Sequence, residues 1–143
     1  MKALQGCLFA AFIGCGFTAT AQADVGHEWL QEARAAIDMS GQSQAARAEA
    51  MRGVEEAIAG VRRARAADGN GNDGNGGVSA NDREATALAV AAFAVLEQRV
   101  PDQREHLEAR LAVTLSRIPE TDAKAEGVAM GRAIAREVLG MPR

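Results

Sequence analysis

The chain has 143 residues, 24% of them charged, and a formal net charge of −3, which gives no general electrostatic case for nucleic acid as a partner. That length fits a single domain able to bury about two-thirds of its unfolded surface.

The first predicted element stands outside the fold. Met1-Lys2 makes a short basic start, Leu4 to Phe17 is mostly apolar, and Ala21-Gln22-Ala23 is a small-x-small cleavage signal before Asp24. A membrane-spanning helix needs about 20 apolar residues, more than this run offers. The pattern predicts a signal peptide over residues 1–23, cut after Ala23, and a periplasmic or secreted single helical domain over 24–143. The competing reading is lipoprotein processing at Phe12-Ile13-Gly14-Cys15, which would tie the chain to a membrane through a lipid on Cys15. Phe12 fits poorly there, because a leucine-like residue usually stands three places before the cysteine.

Cleavage after Ala23 changes the composition. Cys7 and Cys15 both leave, so the mature chain has no disulfide, thiolate ligand or cysteine nucleophile. Losing Lys2 takes the formal charge to −4, and Trp29 and Phe93 remain as the only aromatics. Alanine favours helix but buries little apolar area per side chain. The expectation is a thin core of modest stability, unless a protein partner covers an apolar helix face.

No stretch alternates long enough to suggest a strand, whereas apolar residues recur at three and four. Trp29, Leu30, Ala33 and Ile37 form the stripe of the first helix, with Arg34 and Asp38 spaced to pair weakly. Ser40-Gly41 interrupts it, and Ser43 is placed to cap the second helix, which runs from about Ser43 to Ala66. The buried stripe there is Ala50, Met51, Val54, Ala57, Ile58 and Val61. Arg62, Arg63 and Arg65 crowd its last turn, where the helix dipole favours positive charge; phosphate or anionic-lipid binding is the less favoured reading.

Residues 68–80 follow as a flexible Gly/Asn-rich loop, since Gly, Asn and Asp accept positive φ and oppose a helix. Asp68, Asn70 and Asn72 suggest a calcium loop, but the register fails. Its sixth position is Asp73 instead of Gly, and its twelfth is Ser79 instead of Glu. A start at Asp73 brings Glu84 to twelve but leaves Val78 at six.

Asn81 and Glu84 have capping-box spacing for a third helix. From Ala87 to Leu96 that helix has no polar residue, as expected of a central helix surrounded by others. Pro101 suits the first turn of a fourth helix with the stripe Leu107, Leu111, Thr114, Leu115 and Ile118. Pro119 resets the chain, and Glu120 or Thr121 opens a fifth helix. Gly127 and Gly131, one turn apart, cost about 1 kcal/mol each relative to alanine in a helix, so they predict close approach of another backbone. Gly140 and Pro142 stop the helix. The fold class is therefore all-α, a bundle of about five helices with the long loop after the second.

Candidate chemistry is sparse. His27 and His106 are the only imidazoles, in different helices and without a paired motif; His106 lies among Arg104, Glu105 and Glu108 on a polar face, which predicts a solvated side chain. No metalloprotease, Walker, nucleophile-elbow or dinucleotide motif is present. Glu55-Glu56 and the Glu105/Glu108 pair read as wet helix faces, because acid–base work needs two carboxyls in different environments facing one substrate. Glu-x-x-His, the usual bundle metal motif, is missing. No catalytic, cofactor-binding or metal-ligating residue is assigned, and no cofactor is expected.

The segment AVAAFAVLEQRVPDQREHLEARLAVTLSRIPETDAKAEGVAMGRAIAREVL resembles the helical N-terminal region of secreted vanadium-dependent haloperoxidase-like proteins, of the type 2 phosphatidic acid phosphatase (PAP2) superfamily. The alanine-rich helix ending in Leu96 carries the likeness, with Pro101, Leu107, Leu111, Ile118-Pro119, Ala123-Lys124, Gly127, Gly131, Ile134-Ala135 and Val138-Leu139. Trp29, Ala46-Arg47 and Glu56-Ala57 look like the family's opening helices.

The resemblance implies a later bundle in which lysine, arginines, a Ser-Gly-His segment and a further histidine hold vanadate or phosphate. An oxyanion of that charge needs several fixed positive donors at once. This chain has no Arg-Pro pair and no Ser-Gly-His, and Lys124 is its only lysine after cleavage. Arg99 and His106 miss the family's Arg-to-His spacing by one residue. By this likeness, relatives continue into the catalytic part beyond the position of Arg143.

Three functions stay open. The favoured one is an exported helical module resembling the non-catalytic N-terminal part of such proteins, without activity of its own. The alternative is a periplasmic helical binding or chaperone-like protein whose likeness is convergent. The least favoured is a complete enzyme formed by oligomerisation.

Overall fold

The computed structural model describes residues 25–68 and 77–142 of the chain. Five α-helices and one 3-10 turn make up the fold: α1 (Val25–Met39), α2 (Gln44–Asp68), α3 (Gly77–Arg99), the 3-10 turn (Pro101–Gln103), α4 (Arg104–Ser116) and α5 (Asp122–Val138). No strand occurs among the described residues, and the architecture is an all-α bundle. The expected signal peptide and the Cys15 alternative lie outside the described residues.

Helix boundaries follow local chemistry. Ser40 closes α1, its hydroxyl donating to Ile37 O, and Gly41 takes φ +65°, the left-handed turn that glycine enters without Cβ strain. Ser43 then caps α2, its hydroxyl accepting from Ala46 N at 3.3 Å. Thr121 does the same for α5 from an extended backbone, accepting from Lys124 N. Pro101 opens the 3-10 turn that leads into α4, where its missing N–H costs nothing.

The start of α3 departs from the sequence expectation. Asp68 is the last residue of α2, and Gly77–Ala80 already belong to α3, so neither is part of the loop expected over 68–80. Residues 69–76 lie outside the described residues. Asn81 and Glu84 therefore form no capping box. They lie within α3, and both are held by Arg65 of α2. Extending a nucleated helix by a turn costs far less than starting one, which lets three ordinary residues after Gly77 join it.

Helix α3 is the axis of the bundle and packs against α1, α2, α4 and α5. Ala85 through Ala92 are all buried, as are Val95 and Leu96, as an all-round apolar helix requires. Ten of the 23 buried apolar residues among those described are alanine, so area per side chain is small, and among them only Trp29 supplies a large ring at full burial. Close approach takes the place of bulk. Gly127 and Gly131 face α3, and a Cβ at Gly131 would stand 2.7 Å from Ala87 O and 2.9 Å from Val90 Cβ. These contacts run α5 parallel to α3. Gly53 against Val95 and Gly60 against Ile134 set α2 antiparallel to both.

Candidate functional site

Lys124 is the only lysine among the described residues, and it is buried. Thr121 and Pro119 aim the first turn of α5 back at the end of α4. There the Lys124 ammonium donates to Leu115 O at 2.8 Å and to Ile118 O at 3.2 Å, and it also meets the Glu120 carboxylate. These carbonyls lie at the C-terminal end of α4, where the acceptors of a helix lack intrahelical partners. A cation placed there satisfies them and the helix dipole together. The side chain is a structural cap with its donors already committed.

The densest group of charges spans α1 and α4. Glu32 Oε1 lies 2.5 Å from His106 Nε2, and Glu32 Oε2 accepts from Arg110 Nε at 3.2 Å. Glu28 Oε2 sits 3.7 Å from Arg110 and 3.5 Å from Arg117. The i, i+4 spacing of Glu28 and Glu32 puts both carboxylates on one face of α1, opposite the three cationic or basic groups of α4. His106 is thus no free solvated histidine. It remains half exposed, yet its ring is fixed by a carboxylate 74 residues earlier in the chain. A His–Glu pair could serve as a base, but no serine or threonine hydroxyl hydrogen-bonds His106 among the described residues. General-base catalysis needs that reach to the group being deprotonated.

The remaining candidates are scattered. His27 contacts Gln31 on its own helix and is exposed. Arg99 pairs with Glu49 at 2.5 Å, far from any histidine partnership with His106. Asp38 is paired with Arg47 across the α1–α2 turn and not with Arg34. Arg104 bridges Glu108 at 2.7 Å and Glu97 at 3.1 Å; the Glu108 hydrogen bond first, then the Glu97 charge, raises its pKa above the ordinary guanidinium value. Glu55 and Glu56 are exposed on α2, and so is Glu105 on α4. Of the basic cluster, Arg65 is held by Glu84 and Asn81, while Arg62 and Arg63 make no ion pair among the described residues.

Among the described residues no three His, Cys, Asp or Glu side chains gather so as to hold a metal ion, and no helix is long and apolar enough to cross a membrane. No protein-family model, curated protein or solved structure matches this chain. The sequence could not reveal the Glu28/Glu32 to α4 network, because its partners stand 74 residues or more apart in the chain and become neighbours only in the folded bundle. The Lys124 cap left a fainter trace: Pro119 and Thr121 between two helices, with a lysine one turn on.

Proposed function

We propose that the chain is an exported helical module of the haloperoxidase and PAP2-like kind, corresponding to the non-catalytic N-terminal part of such proteins and inactive alone. The observation that carries this is the commitment of its cations. Lys124, His106, Arg110, Arg117 and Arg99 each already face a carboxylate or a helix-end carbonyl. Arginines without an ion pair among the described residues, such as Arg34, Arg63 and Arg132, are exposed and sit on three different helices. Gripping a highly charged tetrahedral anion takes several donors converging on one point.

The purified protein is titrated with vanadate and with phosphate by calorimetry and assayed for bromide oxidation and phosphatase turnover. The expected result is no saturable anion binding and no turnover. Stoichiometric vanadate binding accompanied by turnover refutes the reading. Export is tested separately by mass spectrometry of the protein from its native host, with a mature N-terminus at Asp24 expected; a lipid-modified Cys15 refutes the cleavage site. Family origin is tested by the adjacent reading frame, where Arg-Pro and Ser-Gly-His segments are expected.

A further inference from the structure

Helix α4 is attached to the bundle in a way that no other helix shares. Only Leu107 and Thr114 of its thirteen residues are buried, against six each in α1 and α2. Its packing partner is α3, and its direct contact with α1 and with α5 is sparse. Charges hold it to α1 instead: Glu28 and Glu32 on one side, His106, Arg110 and Arg117 on the other. Proline stands before each end of the segment's connections, at Pro101 and Pro119, so α4 is not continuous with either neighbouring helix.

The two kinds of tether differ in their response to salt. Glu32 is 15% exposed, but Glu28 is 29%, Arg110 32% and Arg117 57%, so mobile ions reach this network chiefly on its Glu28 side. The Lys124 side chain is 10% exposed; its pair with the exposed Glu120 carboxylate is open to screening, but its bonds to Leu115 O and Ile118 O are not. Elsewhere in the bundle, the α3–α5 seam is backbone against backbone at Gly127 and Gly131 and carries no such dependence.

We propose that α4 is a strap that swings off the flank of α3 as a unit when ionic strength rises, pivoting at its Lys124 end. Opening uncovers Leu107 together with the apolar surface of α3 that α4 covers. The helices α2, α3 and α5 stay packed while it happens.

The test is hydrogen–deuterium exchange of the purified chain at one fixed pH, in about 20 mM and about 500 mM sodium chloride. Between these the screening length falls from roughly 20 Å to roughly 4 Å. Peptides covering residues 104–118 are expected to lose about tenfold in protection, while peptides from residues 85–96 and 124–138 keep theirs. Glu28→Gln combined with Glu32→Gln is expected to loosen 104–118 at low salt and to remove most of the salt response. Glu49→Gln, which deletes the Arg99 pair, is expected to leave α4 as protected as before. Exchange of 104–118 in step with α3 and α5 at both salt concentrations overturns the proposal, and so does a full salt response in the variant lacking both carboxylates. Should that variant fail to fold, the salt series on the unmodified chain decides alone.

Discussion

Replacing Gly131 with alanine sets two effects of known size against each other. Helix propensity alone favours alanine by about 1 kcal/mol. The structure opposes it, because the new Cβ would stand 2.7 Å from Ala87 O, 2.9 Å from Val90 Cβ and 3.1 Å from Ala91 N. Carbon atoms pack best at about 3.5–4.0 Å, so the α3 and α5 backbones must part by roughly half an ångström or more. Two of the three obstructing atoms are backbone and cannot rotate away. A gap of that size forfeits roughly a quarter of the contact attraction along the seam. Overpacking costs about 1–3 kcal/mol, and against backbone atoms that cannot yield it falls in the upper part, about 2–3 kcal/mol, which leaves a net loss of about 1–2 kcal/mol after the propensity gain. At roughly 4 °C per kcal/mol for a domain of this size, Tm falls by about 4–8 °C. Gly131→Leu falls further, by a few kcal/mol.

Gly26→Ala is the matched control: its Cβ meets Arg62 Nη2 at 3.1 Å, the far end of a long side chain that can turn aside. Its Tm is expected to hold or rise. Thermal and urea unfolding followed by circular dichroism at 222 nm measure both. A Gly131→Ala variant as stable as wild type, moving with Gly26→Ala, would refute the claim that this seam is closed by absent side chains.

Lys124→Met keeps most of the aliphatic stem and deletes the ammonium, leaving Ile118 O without that donor and Leu115 O with only its backbone donors. The expected cost is about 1–3 kcal/mol, read by urea unfolding, and a midpoint at the wild-type value contradicts the capping role. Trp29 is 1% exposed, so Trp29→Ala is expected to cost about 3–5 kcal/mol. Its Nε1 has no hydrogen-bond partner among the described residues, so Trp29→Phe loses ring volume alone and is expected to cost less than half as much. Equal losses in the two variants would show that the indole N–H is engaged.

Much of the fold was legible because it is written in residues that act on their neighbours. Ser43 and Thr121 cap the helices that follow them, Gly41 and Gly140 take positive φ where helices stop, and the Ala87–Leu96 run is the buried axis. Gly127 and Gly131 were read as a close-approach face from spacing and cost alone, and both are buried against α3. The failures share a cause. Asn81 and Glu84 have the spacing of a local cap, but Arg65, sixteen and nineteen residues earlier, takes both. His106 is polar among polar neighbours on its own helix, yet Glu32 claims it across the bundle. Side-chain partners chosen by tertiary geometry leave no periodic mark.

The division between centre and rim follows from the alanine content. An alanine side chain removes little apolar area from water, so a core built from it gains stability mainly by bringing backbones together, where dispersion per contact is largest. That is available to α5, which presents Gly127 and Gly131 to the α3 backbone, while Gly53 and Gly60 of α2 make room for methyls of Val95 and Ile134. It also sets dipoles well, since α2 runs antiparallel to both α3 and α5 and offsets their parallel alignment. Helices α1 and α4 have no such seam. Trp29 compensates for α1 by filling the space that small residues leave. Helix α4 has no large ring: beyond Leu107, Thr114 and the partly buried Leu111 and Leu115, it is held by the Lys124 cap and by the network of Glu28, Glu32, His106, Arg110 and Arg117. Partly exposed ion pairs are individually weak. The same composition that makes α3 an effective axis therefore makes α4 the element most easily released.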